Sequence, residues 1–168
     1  PPPILDDKIL TSWNGLMISA FARAGRILNV PSYIESAEHA GLFLLRNLRD
    51  EKGRLKRTWR KGRSKLNAYL DDYAFLIAGL LDVFESTGKT KWLKSAMELQ
   101  ALQDKYYRDK RGGYFTTSHD HEALLTRDKP SYDGAEPSGN SISAMNLLRL
   151  HTITSKEEYR RRADGVFK

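Results

Sequence analysis

The stretch that decides the fold is Y-D-G-A-E-P-S-G-N-S-I-S-A-M-N-L-L-R-L, Tyr132 to Leu150. A turn at Asp133-Gly134 leads through Glu136 and Pro137 into a segment whose apolar residues recur near helical spacing. Polar side chains therefore gather where a helix begins. Residues 7–16 and 69–76 combine the same features. This recurrence predicts that the chain is built from repeated units.

The register of these units indicates three related pairs of helices. The first helices of the pairs share a small-residue triplet, and the second helices share an aromatic residue followed four positions later by alanine. The period is 59 residues for the first step and 65 to 67 for the second. We predict helix pairs at about 12–48, 71–108 and 137–168. The matching positions are Ile18, Ile77 and Ile142; Tyr33, Trp92 and Tyr159; and Ala37, Ala96 and Ala163.

Extended segments are expected between the pairs. Residues Gly53 to Leu66 alternate in polarity around a Lys61-Gly62 turn, which is typical of a small β-hairpin or a paired extended loop. Residues Gly113 to Arg127 repeat this element, with a turn at 119–122. We also expect Ser12 to cap the first helix.

The fold class predicted is all-α, with consecutive αα-hairpins. A fixed period of helix pairs fits an open solenoid or a closed ring. The units are longer than the roughly 34 to 47 residues of common helical solenoid repeats, which favours an (α/α)6 toroid. Three hairpins make about half of such a ring, so residues 1–168 would form a partial toroid domain. The start at Pro1 without methionine adds to the expectation that the chain is a piece of a longer protein.

The amino-acid composition excludes several kinds of site from this segment. The 168 residues contain no cysteine, which removes disulfides, thiolate zinc sites and cysteine nucleophiles from this segment. The sequence contains neither an apolar run of about 18 residues nor a signal-like leader. We expect a soluble protein without a cofactor or membrane contact. The compartment is not fixed by composition, and we take the cytoplasm as the working expectation.

The net charge of +7 is concentrated, because ten of the 28 basic residues lie between Arg46 and Lys65. The basic stretch 54–65, with Trp59 inside it, is compatible with binding of a polyanion. Its alternation is more typical of a solvated hairpin face, and we consider nucleic acid an improbable partner.

Four sequence blocks, quoted in chain order, carry a family resemblance. They are D-D-K-I-L-T-S-W-N-G-L-M-I-S-A-F-A (Asp6 to Ala22), L-D-D-Y-A-F-L-I-A-G-L-L-D (Leu70 to Asp82), G-G-Y-F (Gly112 to Phe115) and D-G-A-E-P-S-G-N-S (Asp133 to Ser141). With these blocks in this order and spacing, the chain resembles the spermatogenesis-associated protein 20 family over almost its whole length.

The resemblance implies a fold more firmly than a reaction. Members of that family carry a thioredoxin-like domain followed by an (α/α)6 toroid similar to six-hairpin glycosidases and N-acylglucosamine 2-epimerases. This chain would correspond to part of the toroid and would lack the thioredoxin-like part. A glycoside hydrolase-like or sugar epimerase-like activity is what the resemblance suggests.

Candidate site residues follow from the repeat. In a closed ring the first helix of each pair lines the inside, so polar residues at its N-terminus face one end of the cavity. Asp72 and Glu136 are candidates for a catalytic acid and base, because inverting glycosidases separate two carboxyl groups by about 6.5 to 9.5 Å. Aromatic and amide side chains would bind sugar. The substrate-binding candidates are Trp13, Asn14, Trp59, Asp71, Tyr73 and Asn140.

Each candidate also has a structural interpretation. The carboxylates and amides can cap helices, and the tryptophans can pack. His119 and His121 lack a further obvious ligand, so no metal site is predicted. The segment Ser138 to Ser141 lacks the strand and triad partners of a nucleophile elbow.

Two functions therefore stay open. The first is a carbohydrate-binding or carbohydrate-processing toroid, in which an open, polar, aromatic-lined cleft should lie beside Asp72. The second is a non-catalytic scaffold for a protein partner or client, in which side chains or the 53–66 loop should plug the cavity.

Assembly is the last expectation. The first and third hairpins each lack a neighbour, which predicts exposure of four apolar side chains, namely Phe21, Leu44, Met145 and Leu148. The segment would then either self-associate, most simply as a dimer that supplies six hairpins, or depend on the neighbouring hairpins of its parent chain.

Overall fold

Six helices in three consecutive antiparallel pairs make up most of the molecule. The structure, a computed structural model, describes residue 3, residues 5–122 and residues 126–167. The predicted fold class is confirmed. The helices are α1 (Thr11–Leu28), α2 (Pro31–Asn47), α3 (Leu70–Thr87), α4 (Thr90–Tyr107), α5 (Gly139–Thr154) and α6 (Glu157–Val166).

Tight turns join the two helices of each pair. The first helices end at Asn29, Gly88 and Ser155, which adopt left-handed backbone conformations with φ of 54°, 67° and 57°. Each of these residues donates its N–H to the carbonyl four residues earlier, which is a common way to end a helix. The pairs are therefore antiparallel. As a result α1, α3 and α5 all begin at the same end of the bundle, here named the rim.

A small antiparallel sheet lies at the rim. Its strands are β1 (Ile9–Leu10), β2 (Lys56–Arg60) and β3 (Arg63–Asn67), in that order. Lys61 and Gly62 turn the β2–β3 hairpin with positive φ at both positions, as in the type I′ turns that are common in two-residue hairpins. The β-hairpin of the predicted fold class is thus present, whereas strand β1 was not foreseen.

The connection after α4 differs from the one after α2. Both contain an isolated β-bridge, Arg49 with Leu55 and Arg108 with Tyr114, which repeats the 59-residue period. No strand forms in the described part of the second connection, residues 108–122 and 126–138. Residues 123–125 of the predicted extended element lie outside the described part of the chain.

Helix α3 forms the centre of the core. It packs against α1 and α4 and also contacts α2 and α5. Gly15 and Gly79 allow a close approach of α1 and α3, because a Cβ atom at Gly15 would lie 2.6 Å from the Phe75 carbonyl carbon. A Cβ atom at Gly79 would likewise lie 2.8 Å from the Gly15 carbonyl oxygen. The two helices thus pack backbone against backbone.

The predicted exposure of apolar residues is only partly correct. Leu44 is fully buried because α2 packs against α3 as well as α1, so the expectation for this residue was wrong. Phe21 and Leu148 are partly buried against the core, and Met145 is 49% exposed. None of the helices in residues 5–122 and 126–167 combines the length and apolarity that crossing a membrane requires.

Candidate functional site at the rim of the inner helices

Asp72, the first of the two predicted catalytic residues, lies at the start of α3 and is fully buried. Its Oδ1 accepts the backbone N–H of Ser12 at 3.0 Å, and its Oδ2 accepts the backbone N–H of Tyr69 at 2.9 Å. The Arg57 guanidinium donates to Oδ2 at 3.2 Å. The carboxylate thus has no surface to offer to a ligand, and this placement supports a structural role.

Burial is also the main influence on the titration of Asp72. Desolvation raises the pKa of its carboxyl group from 3.8 to about 7, and the nearby Asp71 carboxylate acts in the same direction. The hydrogen bonds from Tyr69 and Ser12 and the charge of Arg57 lower the pKa of Asp72, but by less than burial raises it. Asp71 itself is partly exposed and lies 3.6 Å from Arg57.

Glu136, the second predicted catalytic residue, is exposed in the loop that precedes α5. Its Oε1 accepts a hydrogen bond of 2.8 Å from the Trp13 indole N–H on α1. The structure therefore brings two predicted site residues, Trp13 and Glu136, together. The Trp13 side chain is 57% exposed, so most of its ring faces solvent at the rim.

The other polar candidate residues form hydrogen bonds with backbone groups. Asn14 donates to the Leu10 carbonyl at 2.8 Å, and the buried Tyr73 hydroxyl accepts the Leu55 N–H at 3.0 Å. The Asn140 amide accepts the Tyr114 N–H at 2.8 Å and donates to the Tyr114 carbonyl at 2.9 Å. These contacts agree with their structural interpretation, and their sugar-binding role stays a prediction.

The remaining aromatic candidate, Trp59, and the two histidines of the second connection pack against other aromatic rings. Trp59 meets Phe43 edge to face, with ring centroids 5.2 Å apart. His119 stacks on Tyr106, and His121 lies against Tyr69. Over residues 5–122 and 126–167, the His, Asp and Glu side chains do not come together in a group of three that could hold a metal ion.

Ion pairs neutralise much of the basic 54–65 stretch. Four of its cations contact carboxylates elsewhere at the rim: Arg54 contacts Asp120, Lys56 contacts Asp50, Arg57 contacts Asp71 and Asp72, and Arg60 contacts Asp7. This pattern supports the solvated hairpin face over a polyanion site. The Arg54 contact also holds the pKa of Asp120 at about 2.

Two features of the site were missed from the sequence. The first is Arg57, which reaches from β2 over the start of α3 and also lies 4.7 Å from the Tyr69 ring centroid. The second is a polar cluster within the inner helices, where Arg149 of α5 contacts Asp82 of α3 at 2.7 Å and Ser19 of α1 donates to the same carboxylate. Acidic and hydroxyl residues on predominantly apolar helix faces were the available signal.

Solved structures with the same arrangement define the fold. A cellobiose 2-epimerase from Spirochaeta thermophila superposes with a TM-score of 0.76 at 19% identity, covering 95% of this chain and 42% of the epimerase. A GH76 α-mannanase from Bacteroides thetaiotaomicron gives a TM-score of 0.78 at 17% identity, covering 98% and 45% of the two chains. The fold is therefore that of a partial (α/α)6 toroid of the six-hairpin glycosidase-like kind.

Sequence relatives then show which proteins this segment resembles. The chain is 42% identical to spermatogenesis-associated protein 20 of Rattus norvegicus over an alignment of 173 positions, gaps included, which covers 95% of this chain and 22% of that protein. The human protein of that name is also 42% identical, with the same coverage. The predicted resemblance to the spermatogenesis-associated protein 20 family is thereby confirmed, for a segment of about a fifth of those proteins. No protein-family model matches the chain.

Proposed function

We propose that this chain is a segment of a carbohydrate-binding (α/α)6 toroid and that the rim around Trp13 and Glu136 contacts the sugar. The observation that carries the proposal is the hydrogen bond between these two residues. It fixes an exposed indole at the rim, where the inner helices begin. An aromatic face of this kind can stack on a sugar ring, and the adjacent carboxylate can accept hydrogen bonds from sugar hydroxyls.

The comparisons support this proposal through the fold. The structural neighbours include a cellobiose 2-epimerase, a D-mannose isomerase and an α-mannanase, all of which are named for reactions on sugars. Each is less than 25% identical to this chain, so the sugar class is part of the proposal.

Fluorescence titration with cellobiose and with mannose tests the proposal. Among the three tryptophans, Trp13 is exposed whereas Trp59 is partly buried and Trp92 is buried, so stacking should act mainly on the Trp13 emission. Because Trp13→Ala lacks the reporting indole, its affinity is measured by calorimetric titration, and we expect it to be roughly tenfold weaker than that of wild type, as for a central aromatic contact. Trp59→Phe is the matched control. Absence of any sugar response, or equal affinity in wild type and Trp13→Ala, would contradict the proposal.

Catalysis by Asp72 and Glu136 is a more specific prediction than sugar binding. Glu136 is accessible. Asp72, in contrast, would have to break its hydrogen bonds with three donors before it could reach a substrate. Binding is therefore the activity that the geometry favours. Sugar turnover that survives in the double variant Asp72→Asn with Glu136→Gln would remove both residues from the mechanism.

The scaffold function is supported by one specific observation. Arg57 of the β2–β3 hairpin covers the Asp71 and Asp72 carboxylates, so a side chain of the predicted 53–66 loop occupies the space beside Asp72. An Arg57→Ala variant distinguishes the two functions. If the hairpin only restricts a sugar site, this variant should bind cellobiose or mannose more tightly than wild type. If the chain is a scaffold, neither protein should respond.

A further inference from the structure

A second concave surface lies between the loop that follows α4 and the C-terminal half of α6. It is a cleft of about 430 Å³, and a neighbouring hollow of about 480 Å³ shares four of its lining residues. Volumes of roughly 300 to 1,000 Å³ are typical of small-molecule sites. The shared residues are Arg111, Gly112, Gly113 and Gly165. We name the 430 Å³ space the basic cleft.

Cations dominate the lining of the basic cleft. Its basic side chains are Arg108, Lys110, Arg111, Arg161 and Arg162, against two acidic ones, Asp109 and Glu158.

Both acidic side chains of the cleft already have partners. Asp109 contacts Lys129 at 2.8 Å, and Glu158 contacts Arg162 at 3.5 Å. Within the described residues, no carboxylate forms an ion pair with Arg108, Lys110 or Arg161. These three cations make the cleft attractive to an anion.

The cleft has a rigid floor. Tyr114 is buried, and both its N–H and its carbonyl are held by the Asn140 amide. The Tyr114 hydroxyl donates to Asp104 at 2.5 Å, and Arg162 contacts the same carboxylate at 2.6 Å. A rigid floor keeps the surrounding cations at fixed positions, which lowers the entropic cost of binding.

Two backbones meet along one side of the cleft. Gly112 has φ of +106°, and a Cβ atom there would lie 2.1 Å from the Gly165 carbonyl oxygen. A side chain at position 112 would therefore collide with α6. At Gly165, in contrast, the nearest atom to an added Cβ is 3.8 Å away, so a side chain can be introduced at this position.

We propose that the basic cleft binds a small ligand through a phosphate or carboxylate group. Guanidinium groups bind both anions through paired N–H donors. Two of the arginines that line the space, Arg108 and Arg161, form no ion pair within the described residues, and neither does the lysine beside them, Lys110. The 54–65 hairpin also has cations outside the ion pairs of the described residues, namely Lys61, Arg63 and Lys65, but these are exposed on a projecting turn and strand, whereas those of the cleft surround a concave space. The proposal does not depend on sugar binding at Trp13.

Calorimetric titration of the whole chain at about 50 mM salt tests this site. The probes are inorganic phosphate, glucose 6-phosphate and glucuronate, with glucose as the uncharged reference. We expect the anions to bind, and a preference between glucose 6-phosphate and glucuronate separates the phosphate source from the carboxylate source. The double variant Arg108→Gln with Arg161→Gln should weaken anion binding at least roughly tenfold.

Two further variants make the test specific. Gly165→Glu places a carboxylate at the cleft wall and should abolish anion binding while leaving the helical circular dichroism spectrum unchanged. Lys61→Gln with Arg63→Gln removes the same charge from the β2–β3 turn and should leave the affinity within about twofold, as expected for distant exposed charges. Equal weakening by the two double variants, or no binding of any anion at millimolar concentration, would overturn the proposal.

Discussion

The backbone N–H of Ser12 donates a hydrogen bond of 3.0 Å to the Asp72 carboxylate, which also accepts the N–H of Tyr69 at 2.9 Å. One side chain thus serves N–H groups at the starts of both α1 and α3. Ser12 was expected to cap α1, but the residue at the cap position is Leu10, which has no acceptor in its side chain. The acceptor comes from Asp72, about 60 residues further along the chain.

Replacing Asp72 should destabilise the fold strongly. Asp72→Ala leaves two N–H groups at helix starts without their acceptor and also removes one of the two carboxylates that contact Arg57. We expect the free energy of unfolding at pH 6 to fall by about 3 kcal/mol, because each buried unsatisfied group costs about 1 to 3 kcal/mol. Urea denaturation followed by circular dichroism measures this loss.

The neighbouring carboxylate provides the control. Asp71 is partly exposed and contacts Arg57 at 3.6 Å, so Asp71→Ala should change the free energy of unfolding by less than about 1 kcal/mol. A similar loss in the two variants would show that Asp72 contributes only as a charge near Arg57.

Stability should depend on pH through Asp72. Its pKa is about 7 in the folded chain against an ordinary value of 3.8, so the folded state binds the additional proton between these limits. The stabilising contribution is therefore complete below about pH 4 and is lost as the pH rises through about 7. Wild type should lose stability relative to Asp72→Asn between pH 4.5 and pH 8. An unchanged or growing advantage of wild type over this range would contradict the expectation.

The sequence was sufficient to predict the helix pairs because their signals are local. Small-residue triplets, turn residues such as Asn29 and Gly88, and an apolar periodicity recur with the repeat. Strand β1 could not be found in this way, because Ile9 and Leu10 pair with Trp59 and Thr58, about 50 residues away.

The candidate site was predictable in location rather than in role. Polar residues at helix starts did collect at one rim, and Trp13 does meet Glu136. Whether a carboxylate faces solvent or the interior depends on neighbours that are distant in sequence. Asp71 and Asp72 are adjacent and chemically identical, yet only Asp72 points beneath α1 and is fully buried.

The close contact between α1 and α3 should be sensitive to a single methyl group. In Gly15→Ala the added Cβ would lie 2.6 Å from the Phe75 carbonyl carbon, and that backbone cannot move without displacing α3. We expect the free energy of unfolding to fall by about 2 kcal/mol. Urea midpoints provide the measurement.

A second glycine-to-alanine variant in a helix shows whether the loss of stability in Gly15→Ala comes from crowding or from alanine itself. Gly165→Ala meets no atom closer than 3.8 Å, and alanine favours helix over glycine by about 0.5 to 1 kcal/mol. This variant should therefore be as stable as wild type or slightly more stable. If Gly15→Ala is equally well tolerated, the two helices are less tightly packed than the structure indicates.

Self-association of the isolated chain follows from the exposed face of α1. Met17 and Leu28, about three turns apart on one face of the helix, and Ile27 beside Leu28 form an apolar stripe, and they are 53%, 63% and 71% exposed. Similar solved structures contain about twice the length of chain, since this segment covers 42% of the epimerase and 45% of the mannanase. We predict that a second copy covers the stripe and that sedimentation velocity detects association between about 10 and 200 μM. Met17→Glu should restore the monomer, whereas Leu66→Glu on the exposed hairpin should not. A wild-type chain that stays monomeric throughout this range would show that three hairpins need no neighbour.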